Sequence, residues 1–529
     1  MAEAPSVPHI DEISETVPRR RSSRDTERLA TLALVGNAAK PESLRAGRLL
    51  VISDLTEIGR RPTGGPGRTR VTLDDRTVSS LHAKIERQSD GHFIEDLGST
   101  NGTVVDGRPV TGPTLLREGS VLFIGAQVMV FRTLSAAEIN AVEADLEAPF
   151  APVPTMNPEL AMLCAKLRRL APSSTELFLL GETGVGKEVF ANAIHRMSGR
   201  TGPLMAINCA ALPHELVESE LFGYERGAHS TAKAKKLGLI AAADKGTLFL
   251  DELGEMSIEV QSKLLRFLQD RTYIPIGSTR VETADVRVIA ASSRVFGASG
   301  MPAIQEALLG RLGAHPAQIP ALRERREDLG HLLSFFLQAT HCDRGVEMEA
   351  FQSLFLYEWP HNVRELQKVV AEAELLSRGS EAISFEHLPQ SLLGAVERSV
   401  ASDDELDEGS QDDDDDDDGG GGVVRAAVAP GADTEVASGN TARGRTGSAP
   451  IRVRRRVPSA DELRELMRHY RGNVSHVAKH LDRQWAVISR CLRRYQIDPA
   501  EFRPPGAAGA LAPVAAEHDG TATAGELDD

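Results

Sequence analysis

The stretch LFLLGETGVGKEVFANAIH places Gly181, Gly184 and Gly186, with Lys187 directly behind them, between an apolar run and an amphipathic one. Glycines at that spacing let successive backbone N–H groups turn toward one anion. The next helix N-terminus adds positive potential, and the lysine ammonium reaches the outer phosphates. Strand, spacing and helix agree, so Gly181, Glu182, Thr183, Gly184, Val185, Gly186, Lys187 and Glu188 read as a nucleotide-phosphate cradle. Glu188 stands where a hydroxyl residue usually follows the lysine, so the magnesium contact must come from elsewhere. Further on, KGTLFLDELGEM ends a buried strand in Asp251 and Glu252. Adjacent carboxylates at a strand end suit one acid that holds a metal and one base that polarises water. The expected cofactors are ATP and Mg2+.

The elements that must position these groups follow from periodicity. Apolar strands such as LFLLG, GTLFLDE and VRVIAAS alternate with amphipathic helices, the pattern of a parallel α/β sheet with crossovers. We expect that α/β core over 150–320 and a wholly helical lid over 321–395. Ahead of it, short β-like runs separated by Gly, Asp, Asn and Pro turns predict a β-sandwich over 28–135. A small helix–turn–helix unit is expected over 456–503, with Asn473 as an N-cap and Val477, Ala478, Leu481, Ile488 and Leu492 on its apolar face. Residues 1–27, 396–455 and 504–529 read as a disordered arm, an acidic disordered linker and a disordered tail. The fold class is therefore multidomain: β-sandwich, α/β nucleotide-binding domain with helical lid, and all-α C-terminal unit.

Composition sets the outer limits. A chain of 529 residues exceeds one hydrophobic core. The formal net charge of −16 averages unlike regions, because Asp412 to Asp418 form an acidic run while 452–495 is basic. No apolar run reaches the length of about 18 residues needed to cross a bilayer. The first residues, MAEAPSVPHIDEISETVPRRRSSRDTERL, lack an apolar stretch before their arginines, which argues against a secretory signal. Cys164, Cys209, Cys342 and Cys491 are scattered singly, as expected of free thiols in a reducing cytoplasm.

From about 155 to 392 the chain resembles the AAA+ domain of bacterial enhancer-binding proteins, which remodel RNA polymerase carrying sigma-54. The phrases that carry this are GETGVGKE, AINCAALPHELVESELFGYERGA, GTLFLDELGEMSIEVQSKLLRFLQD, VRVIAAS, IPALRERREDL and WPHNVRELQ. The resemblance implies Lys187 on the phosphates, Asp251 on magnesium, Glu252 on the water and Asn208 as the polar switch partner of Glu252. It places Ser292 and Ser293 at the sensor, Arg364 over the γ-phosphate, and a probe loop for sigma-54 at Gly227, Ala228, His229, Ser230, Thr231 and Ala232. That loop reads GAHSTA where the family has GAFTGA, so a smaller polar ring replaces an aromatic tip. Arg311 keeps one of two arginine fingers offered to a neighbouring subunit, and Gln305 replaces the other. A homo-oligomer of six subunits is implied.

The segments EIGRRP, RTVSSLHAKIE and DLGSTNGTVVDG resemble a forkhead-associated (FHA) domain. That implies a phosphothreonine protein as partner, bound by Arg60, Ser79, Ser80, Thr100 and Asn101, with His82 supporting the loop. The segment RHYRGNVSHVAKHLDRQWAVISRCLRRYQI resembles a Fis-type module. It implies DNA as partner, an enhancer-like site read by Gln484, Trp485, Ser489 and Arg490, with Arg493 and Arg494 on phosphates. Two readings stand at this point. One is a cytoplasmic regulator that couples ATP hydrolysis to sigma-54 promoter opening. The other binds ATP, phosphopeptide and DNA without remodelling sigma-54.

Overall fold

The computed structural model describes residues 28–392 except 38, 64–66, 229–233, 294–303, 314–315 and 391. Within 458–502 it describes all but 473, 482–487, 489–490 and 493–494. The expected arm, acidic linker and tail lie outside the described residues.

The first eleven strands are β1 (Leu29–Asn37), β2 (Arg48–Val51), β3 (Leu55–Gly59), β4 (Arg68–Thr72), β5 (Ala83–Gln88), β6 (Gly91–Asp96), β7 (Thr103–Val105), β8 (Arg108–Pro109), β9 (Thr114–Leu116), β10 (Val121–Ile124) and β11 (Gln127–Leu134). They form two sheets, ordered β2-β1-β11-β10-β7-β8 and β4-β3-β5-β6-β9. One face of each sheet points into the sandwich, where Leu32, Ile58, Ile85, Ile94, Leu122 and Met129 are fully buried. Two-residue periodicity alone would leave the other face of the first sheet wet. It is not wet: Val35, Val121, Phe123, Val128 and Val130 on that face are buried too, in a core shared with the lid.

Ser135 ends β11 and opens α1 (Ala136–Glu147) with a capping box to Glu138. Asn157 caps α2 (Pro158–Leu170), whose Pro158 occupies the first turn where no N–H partner is needed. The α/β core follows: β12 (Leu177–Leu180), α3 (Lys187–Met197), β13 (Leu204–Asn208), α4 (His214–Phe222), α5 (Leu239–Ala242), β14 (Thr247–Asp251), α6 (Ile258–Asp270), the short pair β15 (Thr272–Tyr273) and β16 (Glu282–Thr283), β17 (Arg287–Ser292), α7 (Glu306–Leu312) and β18 (Ala317–Gln318). Its sheet, β13-β14-β17-β12-β18, is parallel throughout. Strands β12, β14 and β17 are apolar without alternation because helices cover both faces.

The lid contains α8 (Leu329–Ala339), α9 (Met348–Leu356) and α10 (Asn362–Leu376). It is not wholly helical, as periodicity suggested: Gly345–Val346 and Ala382–Ile383 pair as short parallel strands. Runs of two residues carry no readable period. Near the C-terminus, helices Ala460–His469 and Val474–His480 enclose Leu463, Met467, Val477, Ala478, Ile488 and Leu492. Among the described residues no helix is long and apolar enough to cross a membrane, and none of the four cysteines is in a disulfide.

Candidate functional site

The phosphate cradle forms where β12 turns into α3. Gly184 has φ +85° and Gly186 has φ +106°, backbone conformations that side chains disfavour. A Cβ on Gly184 would stand 2.2 Å from the His361 carbonyl oxygen, so only glycine allows the lid to approach so closely. Lys187 is almost wholly buried at the start of α3. Its Nζ donates to the Gly181 carbonyl at 3.0 Å and to Glu252 Oε1 at 3.3 Å.

Asp251 ends β14 and Glu252 follows it in left-handed conformation, φ +54°. Oδ1 of Asp251 is buried with no hydrogen-bond partner. Burial pushes its carboxyl above the ordinary range, against the pull of the Lys187 ammonium. An unsatisfied carboxylate oxygen beside a phosphate cradle fits Mg2+, which takes one or two carboxylates together with phosphate oxygens. Oε2 of Glu252 accepts from the Ser293 amide at 3.1 Å and from its hydroxyl at 2.8 Å. Ser292, at the end of β17, is buried beneath it.

Asn208 differs from expectation. Its Nδ2 donates to Asp251 Oδ2 at 3.2 Å, not to Glu252. The physical reason is register: β13 runs parallel to β14 with Asn208 opposite Asp251. The polar partner of Glu252 here is Ser293.

A cavity of about 710 Å3 joins these groups. Its lining combines Lys187, Asp251, Glu252 and Ser293 with Val153, Leu160, Leu332, Phe336 and Val363. That mixture suits a ligand with a charged part and an apolar ring. Arg364 lies at the cavity edge, exposed and without an ion pair among the described residues, and its amide donates to the Gly184 carbonyl at 3.2 Å.

Three residues that sequence reasoning left out hold the cradle to the lid. Arg323 grips Glu182 with two bonds, at 2.9 and 2.6 Å, and keeps that carboxyl near a pKa of about 2. Arg325, deeply buried, donates to the Val185 carbonyl at 2.9 Å. Asn362 donates to Thr183 O and to Glu182 Oε2, both at 3.1 Å. For Arg323 and Arg325 the signal was the charge density of LRERRED inside an otherwise apolar stretch, since buried charges require dedicated partners; Asn362, in WPHNVREL, carried none.

The remaining expected residues lie apart from this cavity. Arg311, on α7, donates to the Leu268 carbonyl at 3.1 Å. Gln305 caps the same helix region and donates to Ile258 O at 3.2 Å and Ser262 Oγ at 2.9 Å, so it is tied to α6. Gly227 has φ +86°, and Ala228 crowds Gly277 of the neighbouring turn. His229, Ser230, Thr231 and Ala232 lie outside the described residues.

The FHA residues converge at one end of the sandwich. Arg60 is exposed just beyond β3, and its amide donates to the Ser79 carbonyl at 2.9 Å. Gly59 packs so closely on Ser80 that a Cβ would sit 2.3 Å from its carbonyl oxygen. Ser79 Oγ accepts from the Thr100 amide at 3.0 Å, and Asn101 Nδ2 donates to Thr77 O at 2.7 Å. His82 is fully buried: Nδ1 accepts from the Ser79 amide at 3.1 Å, and Nε2 meets Gly102 O at 3.1 Å. It joins the two loops, which is a supporting role. Gln484, Trp485, Ser489, Arg490, Arg493 and Arg494 lie outside the described residues.

Comparison with known proteins agrees with this layout. Residues 56–125 match the FHA domain, 153–314 the sigma-54 interaction domain and 323–405 the AAA+ ATPase lid domain. A putative uric acid sigma-54-dependent transcriptional regulator of Escherichia coli (strain K12) is 42% identical over 246 residues, 44% of this chain and 41% of that protein. A formate hydrogenlyase transcriptional activator of Salmonella typhimurium (strain SL1344) is 45% identical over 224 residues, 41% of this chain and 32% of that protein. The chain thus spans less than half the length of these relatives. The crystal structure of NtrX from Brucella abortus in complex with ATP aligns with a TM-score of 0.42 at 25% identity, covering 68% of this chain and 75% of that one. It matches an FHA domain, a sigma-54 interaction domain and an AAA+ ATPase lid domain in that order, and over its middle region it is similar to sigma-54-dependent transcriptional regulators.

Proposed function

We propose that this chain is a phosphothreonine-responsive, ATP-binding regulator that couples ATP hydrolysis to promoter opening by sigma-54 RNA polymerase. The observation that carries the nucleotide part is the buried, unpartnered Asp251 Oδ1 beside Lys187 and the glycine cradle. Bound Mg2+ would neutralise phosphate charge there. Asp251 would hold the cation, the Lys187 ammonium and the cradle amides would hold phosphate oxygens, and the apolar part of the cavity lining would take the base. Lys187 must leave Glu252 to do so, which frees Oε1 to orient a water, while Ser293 keeps Oε2 in place. Arg364 completes the site from the lid, and Arg311 from one subunit serves the cavity of the next in a ring of six.

Arg60, Ser79, Ser80, Thr100 and Asn101 take the phosphothreonine, the arginine as a charge-assisted pair and the hydroxyls as donors. The GAHSTA loop contacts sigma-54, and the basic C-terminal unit binds an enhancer-like DNA site in the cytoplasm. Titration calorimetry of the full chain with ATP and magnesium tests the core of this reading. Lys187→Met removes a charge-assisted bond worth about 1.5–3 kcal/mol, so affinity should fall roughly 10- to 150-fold. Equal affinity in the variant and the parent refutes the assignment.

A further inference from the structure

The FHA domain does not dangle from the ATPase. Its outer sheet face contributes Val35, Phe123 and Val130 to one core with Leu332, Phe336 and Phe355 of the lid. Phe123 and Phe355 meet edge to face at 6.1 Å between centroids. The closest approach is at Gly330 in α8, where a Cβ would stand 2.4 Å from Val35 Cγ1. Gly345 is nearly as close to the β1–β2 connection, where an added Cβ would stand 2.7 Å from Ala39 O.

That connection contains a 3-10 turn, Pro41–Ala46, which packs against α8 and β1. On the lid side, Leu44 is fully buried and Arg45 Nε donates to Ser334 Oγ at 3.1 Å. On the loop side, a bulge between Leu34 and Gly36 shifts the register of β1. Asn37 then donates to Asp75 Oδ2 at 2.5 Å, while its amide donates to Ser43 Oγ at 2.8 Å. Asp75 Oδ1 accepts from the amide and hydroxyl of Thr77, at 2.8 and 2.7 Å. Thr77 O accepts from Asn101, one of the residues assigned to the phosphopeptide. The central Asn37–Asp75 bond is buried and therefore stiff, because breaking it strands a polar group in low dielectric, while the links on either side of it are more exposed.

We propose that this path, Asn101–Thr77–Asp75–Asn37–turn 41–46–α8, makes the phosphopeptide loops and the AAA+ lid change state together. The proposal rests on the nucleotide and phosphothreonine reading above, and it adds the route between the two sites. The lid touches the phosphate cradle through Arg323, Arg325 and Asn362, so a ligand there displaces or stiffens α8. The turn passes that change to Asp75. Linkage requires the reverse effect, so a ligand on the loops alters nucleotide affinity by the same factor.

Hydrogen exchange on the full chain, with and without ADP and magnesium, tests the route without needing the natural phosphopeptide. In the parent, ADP should slow exchange of lid amides and also of the Thr77, Thr100 and Ala126 amides by at least about fivefold. Asn37→Ala and, separately, the exposed Arg45→Met should keep the lid response and lose the loop response. The retained lid response reports that each variant is folded. A parent in which the lid responds and the loops do not overturns the coupling alone. Loop responses unchanged in both variants overturn it as well. No ADP effect even in the lid removes the nucleotide reading and this proposal with it, whereas a phosphothreonine peptide that fails to bind removes only the FHA assignment.

Discussion

Replacing Glu252 by glutamine keeps the side chain's shape while removing its charge and one acceptor. In the structure both oxygens face donors: Oε1 takes the Lys187 ammonium at 3.3 Å, and Oε2 takes the Ser293 amide at 3.1 Å and its hydroxyl at 2.8 Å. Glutamine has one oxygen for these two places. If it turns to Ser293, its NH2 faces the lysine and the resting pair is gone. If it turns to Lys187, the Ser293 amide loses its acceptor, at about 1–3 kcal/mol. The first arrangement is preferred, because the flexible ammonium can turn fully to the Gly181 carbonyl, which it already reaches at 3.0 Å, whereas the fixed Ser293 amide cannot turn away. The Lys187–Glu252 pair has side-chain exposures of 7% and 17%, so releasing it in advance removes an obstacle of about 1–2 kcal/mol to nucleotide binding. Glu252→Gln should therefore bind ATP with magnesium about 5- to 30-fold more tightly by calorimetry. Phosphate release should fall by about 10²- to 10⁴-fold, the contribution of a positioned base. Phosphate release at the parental rate would refute the role given to Glu252. A drop in both affinity and turnover would refute the resting pair as a barrier.

Three further outcomes follow from the geometry. Gly184→Ala forces a left-handed alanine against the His361 carbonyl, and the conformational part alone costs about 1–2 kcal/mol, so nucleotide affinity by calorimetry should drop at least about fivefold. Arg60→Ala should weaken binding of a phosphothreonine peptide roughly 10- to 150-fold in fluorescence anisotropy, leaving the unphosphorylated peptide unchanged. His331, buried in α8 against Gly47, has its pKa pushed down to about 4 by burial, with the Pro154 carbonyl opposing in part. The folded state keeps this imidazole neutral while the unfolded chain titrates near 6.5. Its contribution is thus complete above pH 6.5 and is lost as pH falls toward 4. By pH 5 the loss reaches about 2 kcal/mol, and urea unfolding of His331→Leu should show a stability profile flatter by that amount than the parent's. Parallel profiles would contradict it.

The parts of the site legible in the sequence are those encoded within one turn of chain. Gly184 and Gly186 announce positive φ by residue type, and Asp251 and Glu252 announce a strand end by following the apolar run Leu248–Leu250. Such features depend on the backbone and on immediate neighbours. The lid contacts were not legible for the opposite reason. Arg325 meets Val185 across 140 residues and Asn362 meets Thr183 across 179, distances over which spacing carries no information. Asn208 shows the intermediate case. Its place in the site was implied by the family resemblance, but its partner depended on the register of β13 against β14, and parallel pairing put Asp251 opposite.

The pairing of the two domains was half legible, and the missed half bears on mechanism. The runs VLFI and QVMVF in β10 and β11 are apolar at consecutive positions, not alternate ones. In a two-sheet sandwich, consecutive apolar residues place large side chains on the outward face, where water would meet them unless another layer arrives. A free sensor domain on a linker would select against Val121, Phe123, Val128 and Val130 together, because each such side chain is worth about 1.5–3 kcal/mol when buried and invites aggregation when exposed. Their presence therefore implies a layer that stays in place. The lid provides it, and Gly330 lets α8 come close enough to close the seam against β1. On the proposed reading, a lid that carries a whole β-sandwich when it moves would make nucleotide binding and phosphopeptide binding draw on one moving part.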